Sequence, residues 1–254
     1  MVFISLAQTQ LFLLAMTRVL ALMGHIPVLG GQAIPVQVRI ALGLLVTMMI
    51  IPWQPLSPTS EPMALSAFGI GILKELVIGT LAGYAIDLTF GAVQVAGELI
   101  SLTGGFTASR ILNPALGDAS SPIDQLFGMF AILIFLVING HHIFLVGLQS
   151  TFVLLPLNSP IPAQSFDTFA LLTGRLLLVG VQMALPVMGA LLLTDITLGL
   201  LARVAPQIQV FFLGLPLKVG IGILGTSIAI SVVYPSLVDA IRKIAPRMLS
   251  LIGG

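Results

Sequence analysis

The chain has 254 residues, of which only 10 are Lys or Arg and 9 are Asp or Glu, while 57% are hydrophobic. Soluble domains carry roughly 25% charged residues, so a charged fraction of 7% cannot cover a water-facing surface. This composition excludes an ordinary soluble protein, a disordered chain and a nucleic-acid-binding protein, which needs a basic face. With a mean hydropathy of +1.15, the chain is predicted to be an all-α, polytopic membrane protein. It contains no cysteine, which excludes disulfides and thiolate metal sites.

Six apolar stretches are predicted to be helical, at about residues 2–23, 36–51, 63–100, 126–157, 169–201 and 208–238. No basic residue precedes the first stretch, so we expect it to be retained rather than removed as a signal peptide. The breaks between the stretches are rich in Pro and Gly. Residues 52–62 contain four prolines and cannot form a regular helix.

The lengths of these stretches do not fit six simple membrane spans, each of which needs about 20 apolar residues. The stretch at 36–51 is too short for one span. Three stretches are too long for one span and too short for two: 63–100, 126–157 and 169–201. The Asn139–Gly140 pair is a turn signal that divides its stretch, and Pro186 is predicted to bend or break another. The basic residues indicate no clear orientation under the positive-inside rule. Either the count of six spans is wrong, or several helices never sit against lipid as ordinary spans; we expect the second.

Small and acidic residues recur every four positions in the third stretch, which places them on one helical stripe: Gly71, Glu75, Gly79, Gly83, Asp87 and Gly91. Glycine at this spacing lets another helix backbone approach closely. Intramembrane acids are also candidates for an ion or proton path, but the glycines favour packing, with the carboxylates satisfied by neighbours. Glu98, further along the same predicted helix, is grouped with this set as a packing or charge-pairing residue.

A second stripe lies in the last apolar stretch, where Gly214, Lys218 and Gly222 are four residues apart and Gly225 follows. A lone Lys inside a membrane helix costs about 2.5–3.5 kcal/mol, so Lys218 should have a partner. We expect that partner to be Glu75 or a carboxylate of another subunit. Arg18, near the end of the first stretch, is equally compatible with snorkelling to the interface.

The sequence indicates no catalytic, cofactor or metal site. His141 and His142 are adjacent, and neighbouring helical residues point about 100° apart, so they do not form a chelating face. A helix-start or turn role is favoured for them. Phosphate-binding GxxxxGK[ST] and nucleophilic GxSxG motifs are absent. Ala115 stands where a GxGD-type intramembrane protease would need glycine.

The longest polar and small-residue stretch lies at residues 101–125. Loops of this length inside compact proteins are usually functional or disordered. A flexible loop with a few bulky apolar residues suits a plug or gasket in a pore, and an exposed connector is an equal alternative on composition alone. The candidate plug residues are Gly104, Gly105, Phe106, Ile111, Leu112, Asn113 and Pro114.

Four segments, in order and at fitting spacing, resemble the FliR/SctT family of type III export-gate proteins. They are TRVLALMGHIPVLGGQAIPVQVRIALG (17–43), GAVQVAGELISLTGGFTASRILNPA (91–115), FLVINGHHIFLVGLQSTFVLLP (135–156) and MALPVMGALLLTDITLGLLARVAPQIQVFFLGLPLK (183–218). Each segment alone is mostly apolar and unspecific. The four together cover nearly the whole chain and carry the resemblance.

The resemblance implies a structural pore subunit of the flagellar export gate in the bacterial inner membrane, with no enzymatic activity and no cofactor. Residues 1–168 would be a FliP-like helical part, and 169–254 a FliQ-like hairpin with a C-terminal tail. The chain would pack with FliP-like and FliQ-like subunits, and with a FlhB-like protein, in a helical assembly drawn out of the bilayer plane. Its loop at about 104–117 would plug the channel for unfolded export substrates. The alternatives are an injectisome gate subunit, or a small-solute transporter that uses Glu75, Asp87 or Lys218.

Overall fold

A computed structural model of the chain describes residues 5–31, 34–50, 62–107, 121–161, 165–207 and 209–253. The regular elements of these residues are all helices, as the composition predicted. In chain order they are α1 (Leu6–Met23), α2 (Pro27–Gly30), α3 (Val36–Ile50), α4 (Leu65–Thr103), α5 (Pro122–Val137), α6 (Gly140–Leu154), α7 (Ser165–Val204), α8 (Val210–Arg242) and α9 (Ile244–Leu251).

Local sequence signals set several of the helix ends. Ser5 caps α1 through a capping box with Gln8, in which each side chain bonds the other residue's backbone N–H. Ser121 caps α5, and a proline stands in the first turn of that helix, where its missing N–H costs nothing. Asn139 adopts a left-handed conformation with φ 57° and separates α5 from α6. The predicted turn at Asn139–Gly140 is therefore confirmed.

Four helical segments of the described residues are long and apolar enough to cross a membrane: Leu6–Met23, Leu65–Thr103, Asp167–Val204 and Phe212–Ser231. The broken pair α5 and α6 would make a fifth if it forms one span. At 1.5 Å per residue, the 39 residues of α4 and the 40 residues of α7 extend for about 60 Å. This is twice the hydrocarbon thickness of about 30 Å, so neither helix fits a simple span. Pro186 lies inside α7 without ending it, so of the predicted bend or break, the break is wrong.

The chain divides into two compact units that alternate along the sequence. The first unit comprises Met1–Leu88, Asn139–Leu172 and Ile241–Gly254. In its core α1 packs against α3, and α6 packs against α9. The buried side chains of α1 and α6 in this core include Leu14, Val19, Leu22, Leu148 and Phe152.

The second unit comprises Thr89–Ile138 and Thr173–Ala240. Its core is built from buried side chains of α4, α5, α7 and α8, among them Val93, Phe127, Leu191 and Val233. The rings of Phe90 and Phe135 meet edge to face, with their centroids 5.6 Å apart, a favoured arrangement for aromatic pairs.

Glycines on α4 let α1 approach closely within the first unit. A Cβ atom added at Gly79 would lie 2.7 Å from the backbone oxygen of Arg18 and 2.8 Å from Cβ of Ala21. Real Cβ atoms do not approach backbone this closely, so any larger residue at this position would push α1 away from α4.

We predict that Gly79→Ala lowers stability by about 1–3 kcal/mol, the usual cost of overpacking a close contact. Gly69→Ala on the same helix is the matched control, because a Cβ atom there meets nothing within 4 Å. It should be neutral or stabilising by up to about 1 kcal/mol. Thermal unfolding of the two purified variants in detergent, followed by circular dichroism, checks this. Equal midpoints would show that α1 does not pack on Gly79.

Candidate functional site

A fully buried ion pair connects α1 and α4 in the first unit. Arg18 and Glu75 both have side chains with no exposed surface, and Arg18 Nε donates to Glu75 Oε2 at 2.5 Å. The other carboxylate oxygen, Oε1, accepts the backbone N–H of Asn158 at 2.7 Å. Both carboxylate oxygens are therefore bonded, as a charge in an apolar interior requires.

Arg18 also satisfies the C-terminal end of α6. Its Nη1 donates to the carbonyl oxygens of Thr151 at 3.0 Å and Leu155 at 2.7 Å. Both carbonyls lie at the end of a helix, where the helix dipole is negative; the Thr151 oxygen also accepts the backbone N–H of Leu155 at 3.0 Å. The guanidinium also lies over the Phe152 ring, 4.5 Å from its centroid, within the range of a cation–π interaction.

One expectation about these charges is wrong: Glu75 pairs with Arg18 rather than with Lys218. For Arg18, snorkelling was one of two open alternatives, and the buried side chain excludes it. Lys218 on α8 pairs with Asp195 on α7, where its Nζ lies 2.8 Å from Oδ1 and 2.9 Å from Oδ2. A carboxylate 23 residues earlier in the chain thus supplies the partner that a lysine in an apolar helix needs.

A second pair in the first unit joins His25 to Asp87. His25 Nδ1 and Asp87 Oδ2 are 2.5 Å apart, and the side chains are 22% and 44% exposed. The His25 ring occupies the space above Gly83, where a Cβ atom would overlap it. Sequence reasoning selected Asp87 and Gly83 but missed His25. The sequence signal for a partner at this place was Gly83, which lies four residues before Asp87 and leaves space on the same face of the helix.

The other glycines of the two stripes lie against side chains of neighbouring helices in the same unit. An added Cβ atom would come within 3.0–3.1 Å of a leucine or valine methyl group in each of four contacts: Gly71 with Leu14, Gly91 with Leu176, Gly214 with Leu198 and Gly225 with Val187. Glu98 lies on the exposed side of α4. The stripe of α4 is therefore shared between the two units, with Gly71 and Gly91 each packing inside its own unit.

The start of the predicted plug loop is held against α8. Gly104, Gly105 and Phe106 follow α4 directly, and a Cβ atom at Gly222 would lie 2.8 Å from Cε2 of Phe106. Phe106, a predicted plug residue, and Gly222, a member of the second stripe, therefore meet within the second unit. The remaining predicted plug residues lie outside the described residues: Ile111, Leu112, Asn113 and Pro114.

His141 and His142 lie in the first turn of α6. The backbone N–H of His142 donates to the Asn139 carbonyl at 2.9 Å, and the two imidazole rings meet edge to face. Among the residues that the structure describes, no three His, Cys, Asp or Glu side chains are grouped so that they could hold a metal ion.

The long apolar helices and the internally paired charges together define an all-α polytopic membrane protein. The profile of the family described as "Bacterial export proteins, family 1" matches residues 9–244, and the chain belongs to this family. The family resemblance found in the sequence is thereby confirmed.

Named relatives agree with this assignment. The chain is 33% identical over 220 residues to "Flagellar biosynthetic protein FliR" of Pectobacterium carotovorum subsp. carotovorum, which covers 86% of this chain and 83% of the relative. It is 31% identical to the protein of the same name from Escherichia coli (strain K12), with the same coverage. It is also 32% identical over 170 residues to "Surface presentation of antigens protein SpaR" of Shigella sonnei, which covers 66% of this chain and 65% of the relative.

We predict that Glu75→Ala destabilises the protein by about 3–5 kcal/mol, because it leaves a buried guanidinium without its carboxylate. Replacing both partners, as Arg18→Met with Glu75→Leu, should recover much of this loss, since no unpaired charge remains. The measurement is the thermal unfolding midpoint in detergent.

Lys74→Ala is the matched control for Glu75→Ala. Lys74 precedes Glu75 on α4, and its Nζ makes an exposed hydrogen bond to Asn158 Oδ1 at 3.3 Å. Its loss should cost less than about 1 kcal/mol. If the two single variants unfold at the same temperature, the buried pair does not organise the unit.

Proposed function

We propose that this protein is a structural pore subunit of a flagellar type III export gate, through which unfolded proteins cross the bacterial inner membrane. The observation that carries the proposal is the family match over residues 9–244, together with relatives named flagellar biosynthetic proteins that align over most of their own length. Helices α4 and α7 of about 60 Å suit an assembly that extends beyond the bilayer plane.

We propose no bond-making chemistry and no cofactor for this subunit. The conspicuous charged groups of the described residues are engaged with one another. Arg18 and Glu75 are fully buried together, and Lys218 holds both oxygens of Asp195. Groups tied in this way hold helices together rather than act on a substrate.

The proposed partners are FliP-like and FliQ-like subunits and a FlhB-like protein, with residues 1–168 as a FliP-like part and 169–254 as a FliQ-like hairpin and tail. The surfaces of α7 and α8 support extensive contacts. Only 28% of the apolar window of α7 and 22% of that of α8 are buried within the chain. Large exposed apolar surfaces of this kind mark contact with other subunits or lipid. Their exposed side chains include Leu185, Leu192, Leu193, Ile196, Leu213, Leu224 and Ile228.

The loop at about 104–117 is the proposed plug of the pore. Its two ends lie together in the second unit, because the hydroxyl groups of Ser101 at the end of α4 and Ser121 before α5 are hydrogen-bonded to each other and buried. The two described residues that flank this stretch, Ser101 and Ser121, therefore lie at one place. Ends that meet suit a plug better than a connector that must span a distance.

An injectisome gate is a second candidate, and the similarity to SpaR favours it. Expression in a flagellated bacterium that lacks its own FliR separates the two. Restored motility supports the flagellar branch, and absent motility with an assembled complex supports the injectisome branch.

We predict that the chain co-purifies with its FliP-like and FliQ-like partners as one large hetero-oligomer. The exposed apolar faces of α7 and α8 need protein neighbours, so co-expression should also raise its yield. Native mass measurement in detergent checks this. A lone monomer or dimer that takes up a small solute in proteoliposomes would favour the transporter alternative instead.

We predict that deletion of residues 111–114 raises ion leakage in cells that express the complete complex, because the plug is shortened. Leakage is measured as loss of membrane potential, with the Gly69→Ala complex as the control for expression. Unchanged leakage from a fully assembled complex would count against a sealing role for this loop.

A further inference from the structure

The middle of α4 exposes a row of polar side chains. Between residues 80 and 98, every exposed residue of this helix is polar: Thr80, Asp87, Gln94 and Glu98. The nearest exposed residues before and after this part are apolar: Leu73, Leu76, Val77 and Leu102. At 100° per residue, the four polar residues lie within about 40° of one another around the continuous helix. They therefore form one straight row, which we call the polar line.

The polar line is nearly as long as the hydrocarbon core of a membrane is thick. From Thr80 to Glu98 the helix rises by about 27 Å at 1.5 Å per residue, against a hydrocarbon thickness of about 30 Å. Other sides of α4 are well covered, since 61% of its apolar window is buried within the chain, compared with 28% for α7 and 22% for α8. Helix α4 thus directs apolar sides into the protein and a polar row outward, the reverse of a helix that faces lipid.

Lipid is an unfavourable neighbour for two residues of the polar line. Among the residues that the structure describes, none makes a hydrogen bond or an ion pair with the side chain of Gln94 or Glu98. An ionised carboxylate in hydrocarbon is costly, and so is an amide without a hydrogen-bond partner. Ionisable residues inside membrane proteins almost always face the protein interior or a water-filled cavity. Water is the neighbour that satisfies both Gln94 and Glu98.

The polar line also has a negative charge. Asp87 and Glu98 are acidic, and none of the four residues is basic. Asp87 is bonded to His25 but remains 44% exposed, whereas Glu98 has no such partner in the described part of the chain. Carboxylates along the wall of a pore attract cations and repel anions.

We propose that the polar line of α4 faces the water-filled channel of the gate, and that its carboxylates favour the passage of cationic segments of the exported chain. The inference rests on the proposed function, since it assigns one wall of the channel to named residues. It also gives the wall a sign, with Glu98 as the residue that carries the unpaired charge.

The test uses cysteine substitution, for which the chain is suited because it contains no cysteine of its own. Gln94→Cys and Glu98→Cys are made one at a time in the complete co-expressed complex. Leu224→Cys on α8 is the control, because Leu224 is 67% exposed and its neighbours on that face, Leu217 and Ile228, are exposed and apolar. Membrane fragments that are open on both sides are treated with a cationic, membrane-impermeant methanethiosulfonate. Modification of this chain is followed by its mass.

Gln94→Cys and Glu98→Cys should each react about tenfold faster than Leu224→Cys, because only the polar line meets water. Complete reaction of all three variants after denaturation shows that each thiol is intact. If the two substituted residues of the polar line react as slowly as Leu224→Cys in an assembled complex, lipid or another subunit covers this face and the inference is overturned.

The charge of the wall is tested at the same place. Glu98 is one helical turn from position 94, about 6 Å away, and its carboxylate raises the local concentration of a monovalent cation by slightly under twofold at physiological salt. Gln94→Cys should therefore prefer a cationic reagent over an anionic one by about threefold, relative to the same two reagents with free cysteine. Addition of Glu98→Gln, which keeps the shape of the side chain, should remove this preference. An equal preference with and without Glu98→Gln would contradict the role of Glu98.

Assembly and motility separate this inference from the proposed function. If the variants form the hetero-oligomer and restore motility while the polar line does not react, the gate assignment stands and the inference is wrong. If no hetero-oligomer forms even with the unaltered chain, the gate assignment fails and the inference fails with it.

Discussion

The first unit of this protein depends on one buried ion pair. A guanidinium and a carboxylate with no exposed surface are stable in an apolar interior only if their hydrogen-bonding capacity is filled. Arg18 and Glu75 meet this condition by drawing on three parts of the chain. The carboxylate comes from α4, the carbonyls from the end of α6, and an N–H group from Asn158 in the turn that follows. The requirement to satisfy two charges thus fixes the positions of α1, α4 and α6 at the same time. Apolar packing is nondirectional, so it restricts helix positions less than these directed bonds do.

The few ion pairs and the regularly spaced glycines of this chain both hold neighbouring segments close together. A carboxylate of α4 and a glycine beside it accommodate the ring of His25, and Gly79 brings the backbone of α1 against the same helix. In the second unit, the ion pair of Lys218 and Asp195 connects α7 and α8. Few charges are present because lipid and protein interiors penalise them. Those described here as ion pairs each connect two segments that glycines allow to approach closely.

The proposed assembly accounts for features that a single chain in a bilayer would not. The longest helices exceed the hydrocarbon thickness, and α7 and α8 bury only a small part of their apolar surface within the chain. A membrane protein of the export family can place such surfaces against neighbouring subunits as well as lipid. The polar stretch after α4 is tied down at both ends, by Phe106 on Gly222 and by the two serine hydroxyls.

The sequence by itself determined the all-α membrane class, the turn at Asn139 and the family, because composition, periodicity and local turn chemistry are properties of short segments. It also indicated that the glycines of α4 allow a close approach, since glycines at four-residue spacing share a face. Gly79 meets α1, and Gly83 meets His25 in the turn after α1. Which groups they meet was decided only by the tertiary structure. Arg18 and Glu75 are 57 residues apart and His25 and Asp87 are 62 apart, so no local pattern joins them. The expected partner of Lys218, which was Glu75 or a carboxylate of another subunit, is wrong for this reason: any carboxylate in the chain is a candidate partner until helix packing selects one, here Asp195.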